Sequence, residues 1–195
     1  MIPLVTCLIL TRNRRQWLPR AIDYALGQAY PRVEVLVVAD GEDVEDLVPT
    51  NARLIRSTER LSIGEKRNLG CEAARGEIIA HFDDDDYSAS GRLADQVGRL
   101  ARAVTGYHTM RCTDGTDWWL YVGSPNYALG TSLCYRREWW SGHPFPDLNV
   151  GEDNAFVAAA NAEGQLTTAD AGNFMHFSIH AGNASPKPTE QWVKI

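Results

Sequence analysis

The run Asp83-Asp84-Asp85-Asp86 is where this sequence most plainly asks for chemistry. Adjacent carboxylates repel one another, so such a run needs a cation, a hydrogen-bond network or open water around it. It directly follows residues 77–82, an apolar stretch with the length and composition of a buried strand. In open α/β sheets the loop at a strand's carboxyl end is where ligands bind. Hard divalent cations take oxygen ligands, and Mg2+ or Mn2+ commonly combines one or two carboxylates with substrate phosphates. A solvated turn capping the next helix is the plainer reading of an acidic run. Its place after His81-Phe82, at a strand end, favours the metal.

A strand that ends this way needs neighbours, and the first half of the chain alternates strand and helix signals. Residues 5–10 form a continuous apolar run suited to a strand buried on both faces. Asn13 is placed to cap the helix that follows, Pro19 is tolerable in its first turn, and Leu18, Ile22, Ala25 and Ala29 share one face. Residues 33–38 read as a second strand ended by Asp40-Gly41, and residues 53–56 as a short third. Ser62 and Glu65 have the spacing of a capping box, which predicts a helix to about Arg75 with Gly76 as its stop. After Ser88, Leu93, Val97, Leu100 and Val104 predict one more helical stripe. The pattern implies an α/β fold: a Rossmann-like, mostly parallel open sheet with helices on both faces.

The second half reads differently. Strand-like pieces at 109–112, 120–122 and 132–135 alternate with Gly, Pro and Asn turns. A helix is predicted from Glu152 to Asn161, stopped by Gly164, then a late strand over 173–179 and a loosely held polar tail from Asn183. The pairs Trp118-Trp119 and Trp139-Trp140 suit either packing or sugar stacking, and at least one tryptophan is expected to line a binding cleft.

Composition narrows the function classes. A chain of 195 residues, 44% hydrophobic and 23% charged, fits one globular domain. A net charge of −6 argues against holding a polyanion by bulk charge and suits a cation in an acidic cleft. Cys7, Cys71, Cys112 and Cys134 lie far apart with no CxxC pair, which implies buried free thiols in a reducing compartment, hence a cytoplasmic protein. Residues 1–10 are apolar but short, lack a basic start and run straight into Arg12, so they read as a buried strand. No run reaches the length of an integral membrane segment.

Taken in order, several pieces resemble the family 2 glycosyltransferases with the GT-A fold. They are residues 8–14 (Leu-Ile-Leu-Thr-Arg-Asn-Arg), residues 34–41, Lys66-Arg67-Asn68-Leu69-Gly70, and residues 79–86 with a D-x-D at Asp83 to Asp85. Pro144-Phe145-Pro146 followed by Gly151-Glu152-Asp153 completes the set. Two positions depart from the family pattern: Leu10 stands where proline is usual, and Ala39 where the first of two aspartates is usual. The resemblance implies a smaller acceptor-side subregion beside the sheet. Residues of about 1–104 would form the nucleotide-sugar half and about 105–195 the acceptor half of a single domain.

The resemblance further implies a metal-dependent hexosyl- or pentosyltransferase acting on a nucleotide-sugar such as a UDP-sugar, with inversion. Thr11 and Asp40 would contact the nucleotide base, with Arg12 and Arg14 nearby, and Arg67 would face the donor's phosphates or ribose. Asp83 would hold ribose or sugar and Asp85 would ligate Mn2+ or Mg2+, with Asp84 and Asp86 as supporting acids. A late histidine often returns to the metal or diphosphate in this fold, which points to His180 ahead of His176. Physical need agrees with such an assignment: breaking a sugar–diphosphate bond builds charge that a metal or a cationic side chain must neutralise. The attacking hydroxyl must also lose a proton to a nearby base. Asp153, beside Glu152 at a helix start whose amides could hold its carboxylate, is the expected base. The acceptor stays open among a glycan, a metabolite, a protein and a modified base in DNA. Alternatives are a nucleotidyltransferase, which lacks here the early glycine-rich phosphate loop it would need, and a non-catalytic nucleotide- or sugar-binding module.

Overall fold

Along β1 (Val5–Thr11), Val5, Cys7 and Ile9 point to one buried face and Leu8 to the other. Two-sided burial is what a parallel strand between helical layers requires. In the computed structural model, which describes residues 1–184, 189 and 192–195, β1 is central. It pairs in parallel with β2 (Val33–Asp40) and β4 (Ile78–His81), and β3 (Arg53–Ser57) adds in parallel to β2. Helices α1 (Leu18–Leu26) and α3 (Arg92–Arg99) cover the Val5–Cys7–Ile9 face with Leu18, Ile22, Ala25 and Leu93. Helices α2 (Ile63–Ala73) and α5 (Glu152–Ala162) cover the other, where Cys71, Phe156, Val157 and Ala160 meet Leu8, Leu36, Val38 and Ile79.

Helix α2 begins as its sequence predicts. Ser62 Oγ accepts from the Glu65 amide at 3.0 Å, and the Glu65 carboxylate accepts from the Ser62 amide at 2.8 Å. Asn13 does not cap α1. The cap position is Trp17, without a side-chain bond, whereas Asn13 adopts φ 53° and accepts from the Glu42 amide at 2.9 Å, pinning the turn after β2. The stripe read through Leu100 and Val104 is also shorter than expected. Helix α3 ends at Arg99, and Val104 opens the next strand, because a turn at 100–103 separates two apolar positions that merely share helical spacing.

That next strand, β6 (Val104–Thr113), organises the second half and is far longer than the 109–112 piece legible in sequence. Its first half lies between antiparallel β8 (Cys134–Arg136) and parallel β9 (Leu166–Asp170). Its second half lies between antiparallel β7 (Trp118–Val122) and parallel β10 (Met175–Ser178). A register shift at His108 divides the two. Strand β8 also pairs antiparallel with β4, joining the halves into one sheet of order β11-β7-β6-β8-β4-β1-β2-β3. The two-residue β5 (Tyr87–Ser88) pairs with β10 and so ties down the far end of the aspartate turn. Neither β9 nor the short α4 (Arg137–Gly142) is evident in sequence. The expectation of a loose tail falls partly on residues 185–188, 190 and 191, outside the described residues. Beyond them, Val193–Lys194 form β11 against β7, and Lys194 Nζ pairs with Asp117 at 2.7 Å. All four cysteines are buried and outside any disulfide, and among the described residues no helix is long and apolar enough to cross a membrane.

Candidate active site

The carboxyl ends of β1 and β4 and the start of α2 open into one cleft of about 640 Å³, closed on the opposite side by the start of α5 and the segment around Gly130. It is lined by Thr11, Arg12, Arg14, Lys66, Arg67, all four aspartates of the run, Glu152 and Asp153.

The aspartate run does not point one way. Asp83, Asp85 and Asp86 each offer an oxygen within 4.8 Å of the others. Asp84 turns beneath them, where it is 2% exposed and accepts from Thr11 Oγ1 and Arg14 Nη1, both at 2.8 Å. Burial pushes the Asp84 carboxyl up to about 6 against the pull of Arg14. Asp86, expected only as a supporting acid, belongs to the cluster. It accepts from Thr131 Oγ1 at 2.5 Å and from the Ser178 amide at 2.9 Å. Burial and the neighbouring Asp85 and Asp83 raise its pKa well above the usual carboxylate range. Three hard oxygen donors crowded at one turn fit a divalent cation, which would relieve their mutual repulsion.

His180, beyond β10, returns to this turn. Its Nδ1 accepts from the Gly182 amide at 3.0 Å, which leaves Nε2–H to donate to Asp85 Oδ2 at 2.9 Å. Its ring meets Trp17 edge-on, and Arg14 Nη1 holds the same Asp85 oxygen at 2.9 Å. His176 instead stacks on Tyr87 next to Trp118, away from the cleft.

Asp40 ends β2 and is 1% exposed. Burial works to raise its pKa, but bonds from Lys66 Nζ at 2.7 Å, the Leu61 amide at 3.1 Å and Arg12 at 2.7 Å outweigh that and hold it low. Asp40 therefore stands behind Lys66 and Arg12, which face the cleft; Lys66 carried no assignment in the sequence reading. Thr11 is 2% exposed with its hydroxyl committed to Asp84.

Across the cleft, Glu152 is buried and accepts from Arg67 Nε at 3.2 Å. Arg67 keeps its charge: burial opposes it, and Asp83, Glu152 and Asp153 restore it. Asp153 faces the cleft with one oxygen bonded to the Asn154 amide at 2.9 Å. Its other oxygen sits where only glycine leaves room, since a Cβ on Gly130 would fall 2.0 Å away. The helix start depends on Gly151 at φ 86°, with no side-chain cap. None of the four paired tryptophans lines the cleft, contrary to expectation; Tyr127 and Phe177 are its aromatic residues. Trp139 stacks on His143, and Trp140 donates to Asn68 at 2.9 Å.

The sequence reading also missed a support beneath the turn. Arg92 is fully buried and donates to the His81 carbonyl at 2.6 Å and to Ser88 Oγ at 2.8 Å, with its guanidinium 4.4 Å from the Phe82 ring centre. A charged residue in a helix stripe reads as solvent-facing, so nothing in sequence flags it.

Comparison with known proteins bears on this cleft. The model of the family described as "Glycosyl transferase family 2" matches residues 6–157. The chain is 33% identical over 116 residues to the "Uncharacterized glycosyltransferase EpsJ" of Bacillus subtilis (strain 168), covering 54% of this chain and 34% of that protein. It is 35% identical over 108 residues to the "Succinoglycan biosynthesis protein ExoO" of Rhizobium meliloti (strain 1021), covering 52% and 31%. Among solved structures, the mannosyltransferase PcManGT of Pyrobaculum calidifontis, in complex with GDP-Man and Mn2+, matches at TM-score 0.71 and 22% identity over 96% of this chain and 59% of that one. TarS 1-349 of S. aureus with UDP-GlcNAc matches at TM-score 0.75 and 19% identity over 93% and 60%. These similarities show the GT-A fold. The chain spans about a third of the length of the two curated relatives and about 60% of those structures.

Proposed function

The chain belongs to glycosyl transferase family 2, and from that premise and the cleft we propose that it moves a sugar from a nucleoside-diphosphate-sugar to an acceptor hydroxyl with inversion. The observation that carries this reading is a single cleft with a three-carboxylate cluster on one wall and Asp153 on the other, with Arg67 and Lys66 between them.

Asp83 and Asp85, with Asp86 beside them and His180 behind Asp85, would hold Mn2+ or Mg2+. The cation supplies charge stabilisation on the departing diphosphate. Arg67, Lys66, Arg12 and Arg14 bring permanent positive charge to the cleft, where the donor's phosphates and nucleotide would lie, with Thr11 and Asp40 behind Lys66 and Arg12. Asp153 removes the proton from the acceptor hydroxyl, and Glu152, paired to Arg67, orients it. With the opposite carboxylates gathered for the cation and Glu152 paired to Arg67, Asp153 acts as the single base of a direct displacement. The two solved relatives bind GDP-Man and UDP-GlcNAc, which favours a hexosyl donor carried on a nucleoside diphosphate. Residues of about 1–104 would serve the donor and about 105–195 the acceptor, which we place among glycans, metabolites, proteins and modified DNA. Four buried reduced thiols support a cytoplasmic setting.

The test is a nucleotide-sugar panel with Mn2+ or Mg2+, read as released nucleoside diphosphate. One donor should turn over slowly without acceptor. In Asp153→Asn, transfer should fall by about 10²–10⁴-fold while nucleoside diphosphate binding persists. Absence of turnover with every donor and metal would reject the reading.

A further inference from the structure

We infer that His81 is a positioning residue that grips the Glu152–Asp153 pair from both sides, through Arg67 on one and Gly130 on the other. What the pair does rests on the transferase reading above; that the pair is gripped rests on geometry alone.

The pair needs an external hold. Helix α5 starts at a left-handed glycine without a side-chain cap, and residues 147–150 before it are exposed. His81 ends β4 and is fully buried. Its Nδ1 lies 2.7 Å from Arg67 Nη1, and Arg67 Nε reaches Glu152 at 3.2 Å. The same Nδ1 lies 2.9 Å from the Gly130 carbonyl, and Gly130 is the residue against which the Asp153 carboxylate rests. The two chains of contact therefore end on consecutive residues of one helical turn. On the far edge, Nε2 lies 2.9 Å from Tyr135 Oη, itself 3.1 Å from Cys71 Sγ, and the Tyr135 ring packs edge-on against the imidazole with centroids 5.3 Å apart. Phe145 closes the remaining side, its ring 5.7 Å from the imidazole and 5.7 Å from the Arg67 guanidinium.

The single Nδ1 faces both a guanidinium that can only donate and a carbonyl that can only accept, so it hydrogen-bonds one of them, accepting from Arg67 when bare or donating to Gly130 when it carries the proton, and packs against the other. An apolar side chain could fill the space but could engage neither neighbour. An asparagine amide at the same position has both an acceptor for Arg67 and a donor for Gly130.

This contrast gives the experiment, which compares His81→Leu, His81→Asn and Tyr135→Phe in the full chain. Misplacing the pair in His81→Leu should lower kcat for donor turnover by about 10–100-fold, with the Kd for nucleoside diphosphate plus Mg2+ within about 3-fold of wild type. His81→Asn should recover kcat to within about 5-fold of wild type despite a lower melting temperature. Tyr135→Phe should lose thermal stability but keep kcat. A merely space-filling His81 predicts instead that kcat follows melting temperature across all three, and that result overturns the inference. If the wild-type chain turns over no donor, the transferase reading falls separately, and the grip is read by NMR. Protection of the Arg67 Nε–H from solvent exchange in wild type and His81→Asn, lost in His81→Leu, supports it; equal protection in all three overturns it.

Discussion

The two walls of the cleft are built by different means. On the wall we assign to the donor, Thr11 and Asp40 end parallel strands and the aspartate turn follows one, and their positions relative to one another come from the registers of β1, β2 and β4. On the acceptor wall, Glu152 and Asp153 sit at a helix start without a capping side chain, held by Arg67 and Gly130 from elsewhere in the chain. A sheet places residues through repeated backbone bonds, whereas an uncapped helix end depends on a few side-chain contacts. The donor wall should therefore tolerate loss of single side-chain contacts except at the cation cluster. The acceptor wall should be sensitive even to one added methyl group.

Four substitutions probe that difference, in order of expected size. Asp85→Ala removes an oxygen donor from the cluster together with the partner of both Arg14 and His180, and should cut metal-dependent donor turnover by about 10³-fold or more. Steady-state release of nucleoside diphosphate measures it, and near-normal turnover would move the cation away from this turn. Gly130→Ala adds a Cβ 2.0 Å from Asp153 Oδ2 and should lower kcat by about 10–100-fold with donor affinity largely kept. Unchanged kcat would show that the acceptor wall is as robust as the donor wall. Ser62→Ala breaks the capping box of α2 and should cost about 1 kcal/mol of stability by urea unfolding, with kcat little altered because Arg67 and Lys66 are carried by the body of the helix. A large loss of activity there would mean that the donor wall, too, hangs on one terminus.

The smallest effect concerns acid. Burial works to raise the Glu34 pKa, but bonds from Thr6, the Arg75 amide and Arg53 outweigh it and leave it below the ordinary value. A depressed folded pKa contributes stability that is complete above the unfolded value of about 4.3 and is lost as pH falls through the folded one. Glu34→Gln should therefore flatten the acid limb of urea midpoint against pH and leave activity at neutral pH unchanged. An acid limb as steep as wild type would remove Glu34 from the account.

Legibility follows the same division. Strands β1 to β4, the capping box at Ser62 and the helix from Glu152 are visible as local patterns of period and capping. Strand β9, α4 and the true length of β6 are not. Strand β9 is half-buried or exposed along its length and shows no apolar alternation, and β6 acquires its length by pairing with four strands. Asn13 fails as a cap because the left-handed turn it occupies puts its side chain on the Glu42 amide instead. The buried Arg92 beneath the acidic turn is invisible because its partners, a strand carbonyl and a neighbouring hydroxyl, are defined only once β4 and α3 pack.

What one strand-and-turn reading could establish was that carboxylates gather at the end of β4, since strand period and chain adjacency act within a few residues. Which of them face the cleft was settled elsewhere. Asp84 turns under to Thr11, 73 residues away, and Asp86 is aimed by the Ser178 amide, 92 residues away. His180 rather than His176 reaches Asp85 because β10 pairs with β5 and β6, leaving His176 stacked on Tyr87 and carrying the turn beyond Ser178 over the aspartates. In a tight turn of like residues the backbone leaves side-chain direction nearly free, so distant partners choose it, and those partners exist only in the folded chain.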